Sequence, residues 1–140
     1  MQRVVLDTNV IVSGALTTKG PPATILDVWR KSRFLLITSE AIIAEVKDVL
    51  NDPILRRAYP HLTDSRVGRL INLLRNQSII VPGKLAVSVV EDDPGDDLFF
   101  VAALEGNADS IVSGDKAVLE IGSFRGIRVV SPSAFAKQFK

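Results

Sequence analysis

The sequence VVLDTNV at residues 4–10 decides the fold class. It begins with a continuous apolar run, Val4 to Leu6, and the run ends at an acidic residue, Asp7. Continuous apolar runs are typical of strands covered on both faces, as in a parallel sheet. Four similar runs follow, separated by stretches with helical periodicity. The alternation predicts an α/β three-layer sandwich with a central parallel five-stranded sheet, its strands at residues 4–6, 34–38, 78–81, 110–113 and 127–130.

Helical spacing of apolar residues fills most of the remaining sequence. Ser39 is a suitable N-cap for one of these helices, and Pro53 lies just beyond its end. Residues 85–90 also favour extended structure, but an acidic Pro/Gly segment follows at once, which predicts a loop or a short edge strand there. The predicted helices cover residues 23–31, 39–50 and 98–104, and two more begin at Thr63 and at Ser131.

Composition limits the class of protein and the kind of site. The chain has 140 residues, of which 46% are hydrophobic, so we expect a single domain spanning residues 1–140. No apolar run approaches the roughly 20 residues that span a bilayer, and no signal-peptide layout is visible, so we expect a soluble, cytoplasmic protein. Without cysteine and with His61 as the one histidine, any metal site must use oxygen ligands. The net charge of +1 leaves the partner undecided.

Four acidic residues can meet at one edge of the predicted sheet: Asp7, Glu45, Asp97 and Asp115. Asp7 and Asp115 follow strands, and ligands of parallel sheets bind beyond the carboxyl ends of the strands, where the strand order reverses. A strand order of 3-2-1-4-5 would place these two carboxylates across one crevice, within reach of the helices that contain the other two. Carboxylates gathered without matching bases repel one another, so such a group favours a divalent cation and phosphate chemistry.

Each acidic residue also has an ordinary structural interpretation. Asp7 could cap a local turn. Glu45 could lie on an exposed helix edge, paired with a basic side chain. Asp96 and Asp97 suit the first turn of any helix, because the helix dipole favours negative charge there. Asp115 could serve as the N-cap of a following helix. The four together are more specific than any one of them.

The sequence resembles the PIN-domain ribonucleases, and among them the prokaryotic toxin-type (VapC-like) proteins of toxin–antitoxin pairs. The resemblance rests on residues 4–10, on residues 39–50 with Glu45, on residues 93–103, and on the sequence IVSGD at residues 111–115. It spans nearly the whole chain. It implies a PIN-like fold and an endoribonuclease that hydrolyses RNA phosphodiester bonds with Mg²⁺ or Mn²⁺, leaving a 5′-phosphate and a 3′-hydroxyl.

The resemblance also assigns residues and partners. Asn9 corresponds to the family's polar orienting residue and Ser113 to its hydroxyl before the last acid, while Asp96 competes with Asp97 as the third acid. The further partners that it implies are a homodimeric second copy and a small antitoxin protein. The catalytic and metal-binding residues that it implies are Asp7, Glu45, Asp97 and Asp115.

RNA contact requires positive charge, and two groups of basic residues are candidates. Both could equally be solvated helix faces. A rival function is a non-catalytic PIN-like module that binds RNA or protein, and a phosphotransfer fold is disfavoured because Asp7 is followed by Thr8 and Asn9 rather than by the Asp-x-Asp of dehalogenase-type phosphatases. The basic candidates are Arg30, Lys31 and Arg33 in one group, and Arg56 and Arg57 with Arg66 and Arg69 in the other.

Overall fold

A sheet of six strands forms the centre of the computed structural model, which describes residues 1–85, 89 and 97–139. The strand order is β3-β2-β1-β4-β6-β5, and every neighbouring pair is parallel except β5 and β6. The five predicted strands are present in the predicted order. The strands are β1 (Arg3–Leu6), β2 (Leu35–Ser39), β3 (Ile79–Val81), β4 (Ser110–Val112), β5 (Ser123–Phe124) and β6 (Ile127–Val130).

The short strand β5 was not predicted from the sequence. It pairs antiparallel with β6, with Phe124 opposite Ile127. The two residues between them, Arg125 and Gly126, both have positive φ, at 50° and 83°. Positive φ at both central residues is the mark of the type I′ turn, whose twist matches that of a hairpin. The parallel sheet therefore ends in a small antiparallel hairpin.

Eight helices lie among the described residues, three more than predicted. All five predicted helices are present within a few residues, and the hydroxyls of Ser39, Thr63 and Ser131 each cap the helix that follows. The predicted loop or edge strand at 85–90 lies largely outside the described residues. The helices are α1 (Thr8–Leu16), α2 (Pro21–Arg30), α3 (Glu40–Leu50), α4 (Pro53–Ala58), α5 (Asp64–Gln77), α6 (Asp97–Glu105), α7 (Lys116–Ile121) and α8 (Pro132–Ala136), and a 3₁₀ turn follows at Lys137–Phe139.

Alternate residues of β1 point to two separate cores. Val4 and Leu6 pack in one core with apolar residues of α1, α2, α3, α5 and α8. Val5 packs in the other, against Phe99 and Phe100 of α6. All five side chains are buried. The sheet is thus covered on both faces, which confirms the three-layer sandwich and explains the continuous apolar runs of the sequence.

Candidate active site

The first and fourth strands are neighbours, and their carboxyl ends meet. Leu6 lies opposite Val112 in the parallel register. The next residue along the first strand, Asp7, donates its backbone N–H to the carbonyl oxygen of Val112 at 2.9 Å. Asp7 and Ser113 therefore leave the sheet side by side, and both are buried. From β1 the chain adds β2 and β3 on one side of the sheet and then β4 on the other side. Asp7 and Ser113 therefore lie at the switch point between the two halves, which is where open α/β sheets bind ligands.

Short hydrogen bonds join Asp7 to the fourth strand. The Ser113 hydroxyl donates to Asp7 Oδ2 at 2.6 Å, and the backbone N–H of Asp115 donates to the same hydroxyl oxygen at 3.0 Å. The other carboxylate oxygen, Asp7 Oδ1, accepts the backbone N–H of Asn9 at 2.9 Å. Ser113 thus fixes the orientation of Asp7 and the start of the Asp115 turn together.

Asp115 combines a structural role with proximity to Asp7. Its Oδ1 accepts the backbone N–H groups of Ala117 at 2.8 Å and Val118 at 3.3 Å, so it is the N-cap of α7. Its negative charge also acts on Asp7. The capping interpretation and the site interpretation are therefore compatible, because the cap holds the Asp115 carboxylate in place beside the crevice.

Burial raises the pKa of the Asp7 carboxyl above its ordinary value, and the nearby charge of Asp115 raises it further. Hydrogen bonds from Ser113 and from the Asn9 amide oppose the rise without cancelling it. The ionised form of Asp7 is therefore less stable in the folded chain than in the unfolded chain. A site that penalises its own carboxylate in this way gains from a bound cation.

Substitution Asp7→Asn is expected to stabilise the metal-free protein at neutral pH. A raised folded-state pKa means that the folded chain binds the Asp7 proton more tightly than the unfolded chain does. Protonation of Asp7 therefore adds to the free energy of unfolding below the unfolded-state pKa near 3.8, and this contribution is lost as the pH rises through the folded-state pKa. Melting temperatures in a chelator should therefore show the variant above wild type at pH 7, with the difference shrinking towards pH 4. The exposed Asp48→Asn on α3 is the control and should show no such trend; a wild type more stable than the variant at pH 7 would contradict this prediction.

Glu45 and Asp97 are the other two acids predicted for the site. Glu45 is exposed on α3, between the buried residues Ile42 and Val46. Asp97 is half-buried at the start of α6, and its Oδ1 accepts the backbone N–H of Val89 at 3.0 Å. Asp96 lies outside the described residues. Across residues 1–85, 89 and 97–139, no three acidic or histidine side chains lie close enough together to hold a metal ion.

The donor set that the structure does assemble suits a hard cation. The Ser113 hydroxyl links the Asp7 carboxylate to the backbone of Asp115, whose negative charge acts on Asp7, and Mg²⁺ prefers oxygen ligands, takes few carboxylates directly and keeps several of its waters. The four-carboxylate site remains a prediction.

Two threonines that the sequence analysis did not single out lie beside the site. Thr8 follows Asp7 directly, and Thr38 is in β2, next to the first strand. Both are buried, and neither hydroxyl has a hydrogen-bond partner within the described part of the chain. A buried hydroxyl without a partner is costly and commonly binds an ordered water. In the sequence, Thr8 could have been noticed as a site residue because it lies between Asp7 and Asn9.

Several of the basic candidates are occupied within the chain. The Arg56 guanidinium donates to the Leu50 carbonyl at 2.7 Å, and it also bonds the side chains of Asn51 at 2.6 Å and Asp64 at 2.8 Å. Arg33 lies over the ring of Phe139, with 5.3 Å from its guanidinium carbon to the ring centroid. Arg56 therefore links the ends of three helices, and this structural role accounts for its presence without RNA. Roles in RNA binding for Arg30, Lys31, Arg33, Arg56 and Arg57 remain predictions.

A parallel sheet of this order, with acidic residues at the carboxyl ends of its two central strands, defines a PIN-like α/β domain. The family model of the PIN domain matches residues 3–117, and the chain belongs to this family. The PIN domain is typically a nuclease fold, and its nucleases generally act on RNA with divalent metals. The chain is also similar to a protein of the archaeon Methanocaldococcus jannaschii described as uncharacterized, with 26% identity over 147 aligned positions that cover 99% of this chain and 92% of the archaeal one. Among the described helices, none is long and apolar enough to cross a membrane.

Proposed function

We propose that the protein is a Mg²⁺- or Mn²⁺-dependent endoribonuclease and the toxin component of a toxin–antitoxin pair. The observation that supports the activity most strongly is the Asp7–Ser113–Asp115 arrangement at the reversal point of the sheet. Membership of the PIN family supports the reaction class. The toxin role rests on the sequence resemblance to VapC-like proteins.

In this proposal some residues bind the cation and others orient those ligands. Asp7 and Asp115 would hold the cation, with Glu45 and Asp97 contributing through water, and the cation when bound supplies an activated water and neutralises charge on the scissile phosphate. Ser113 keeps Asp7 oriented through its 2.6 Å hydrogen bond. The amides of Ala117 and Val118 do the same for Asp115. Such pre-set ligands need little reorganisation during the reaction.

The direct test is cleavage of a labelled RNA by purified protein with Mg²⁺ or Mn²⁺, followed by analysis of the product ends. We expect internal cleavage that requires the metal, stops in a chelator, and leaves 5′-phosphate ends that a phosphatase removes. Cleavage that continues in a chelator, or products with 2′,3′-cyclic phosphate ends, would contradict the proposed mechanism.

A non-catalytic binding module is the second candidate function. The specific observation in its favour is that the described residues bring two, rather than three or more, carboxylates together. Metal-independent RNA or protein binding, with no cleavage of any RNA tested, would favour this module over the nuclease.

The toxin role has a test of its own. Induced expression in a bacterial host should arrest growth, and co-expression of a short antitoxin reading frame, which we expect beside the gene, should restore it. Normal growth at high expression would contradict the toxin role and leave the nuclease proposal intact.

A homodimer, which the same resemblance implies, should sediment at about twice the 15.2 kDa mass of the chain.

A further inference from the structure

A groove with basic residues along its rim lies away from the acidic site. One cavity of the groove has a volume of about 390 Å³ and lies between α1, α2 and α5. Its floor includes the apolar side chains of Ala15, Leu62, Val67 and Leu70. An adjoining cavity of about 450 Å³ shares Thr17, Thr18, His61 and Arg66 with the first and adds Lys19. We call the two cavities together the basic groove.

The charges of the basic groove come from separate parts of the sequence. Arg30 ends α2, while Arg66 and Arg69 are three residues apart on α5 and so share one face of that helix. With Lys19, these residues give four exposed cations. The carboxylate that lines the groove is Asp27, which lies 3.3 Å from Arg30 in an exposed ion pair of little energetic weight. The lining of the basic groove therefore has a formal net charge of +3, from four cations and one carboxylate.

The shape and charge of the groove fit a single-stranded polyanion. Guanidinium groups bind phosphate oxygens in bidentate fashion, and several cations lining two adjoining cavities suit the repeated charges of a phosphodiester chain. The apolar side chains of the lining offer contact area for bases and ribose. His61, whose Nε2 lies 3.3 Å from the Ala15 carbonyl oxygen, presents a ring at the junction of the two cavities.

Helix α1 connects the groove to the acidic site. It begins directly after Asp7, and Gly14 and Ala15 near its other end line the groove. At 1.5 Å per residue, Gly14 lies roughly 10 Å along the helix axis from Asp7. A short stretch of single strand can cover that distance, so one RNA molecule could contact both places.

We propose that the basic groove is a binding subsite for single-stranded RNA, which holds nucleotides flanking the bond that the acidic site cuts. This inference rests on the proposed function, since it takes the RNA to be the substrate. Arg66 and Arg69 bind backbone phosphates in it, with Arg30 and Lys19 extending the track on either side.

Binding is tested apart from cleavage by making all measurements in the Asp7→Asn background. The probe is a short fluorescein-labelled oligouridine, and anisotropy is measured across a salt series. Adding Arg66→Ala with Arg69→Ala should raise the Kd roughly tenfold or more and lower the slope of log K against log salt by about 1.4, since each single-strand phosphate contact contributes about 0.7. Arg75→Ala with Arg128→Ala removes two exposed cations outside the groove lining and should change the Kd less than about twofold.

An unchanged Kd and slope in the Arg66→Ala, Arg69→Ala protein overturns the groove proposal, and so does an equal loss in the control pair, because the effect would then be one of general charge. Tighter binding of an acidic Glu/Leu peptide than of RNA, lost in the groove variant, overturns the assignment to RNA. Cleavage by the protein with native Asp7 is scored separately: if it cuts RNA while the groove variants bind normally, the proposed function stands and this inference fails.

Discussion

We expect RNA cleavage to fall by roughly 100-fold or more in Asp7→Asn and in Asp115→Asn, which corresponds to about 2.7 kcal/mol of lost transition-state stabilisation. Each substitution keeps the size of the side chain and removes a negative charge from the pair. Asp7 is buried against Ser113, and Asp115 is held by two backbone amides, so neither neighbour can move easily to replace the lost ligand.

The same assay gives controls and a graded series. Asp48→Asn, exposed on α3, should cleave as wild type does. Glu45→Gln and Asp97→Asn should each lose activity if these acids contribute through water, and their losses measure how far the four-carboxylate prediction holds. Undiminished cleavage in both Asp7→Asn and Asp115→Asn would show that the reaction happens elsewhere. Melting temperatures must accompany the assay, because Asp7→Asn is expected to be more stable than wild type.

A second large effect is expected for Gly106→Ala, at the end of α6. A Cβ atom at this buried position would lie well inside van der Waals contact with Ile37 Cγ2, and 3.2 Å from the Ala102 carbonyl oxygen. Ile37 is fully buried in β2, between β1 and β3, so its side chain is enclosed by the core. Overpacking of this kind costs about 1–3 kcal/mol, and urea denaturation should show the loss as a lower midpoint at unchanged slope.

Gly68→Ala is the matched control for this prediction. Gly68 is exposed within α5, and a Cβ atom there would meet nothing within 4 Å. Alanine in a helix interior is favoured over glycine by about 0.5–1 kcal/mol, so the control should be slightly more stable than wild type. Equal stability of the Gly106→Ala protein and wild type would mean that α6 and β2 pack less closely than the structure has them.

The sheet could be predicted from the sequence because its strands are buried on both faces. Apolar runs such as Val4 to Leu6 need no tertiary information to be identified, and the order of the first and fourth strands follows from the usual position of ligand sites in α/β folds. Helix α1 could not be predicted as readily. Its sequence, TNVIVSGAL, is rich in β-branched residues that favour strands, and packing of the helix in the core outweighs that local preference.

The candidate site was predictable in part. Asp7, Ser113 and Asp115 are close to strand ends in the sequence, and the structure joins them. Glu45 and Asp97 depend on the exact direction of helical side chains, which the apolar pattern does not specify. The basic groove was hidden for a related reason: Lys19, Arg30 and Arg66 come from three separate segments, and their proximity is a product of helix packing.

Binding of Mn²⁺ tests most directly whether Asp7 and Asp115 form a cation site. Titration of the wild-type protein with Mn²⁺, followed by the loss of the free-ion electron paramagnetic resonance signal, should show saturable binding together with a rise in melting temperature. The Asp7→Asn, Asp115→Asn double variant should show neither, while Asp48→Asn should bind as wild type does. Equal Mn²⁺ binding by the double variant and wild type would contradict the assignment of these two carboxylates as the metal site.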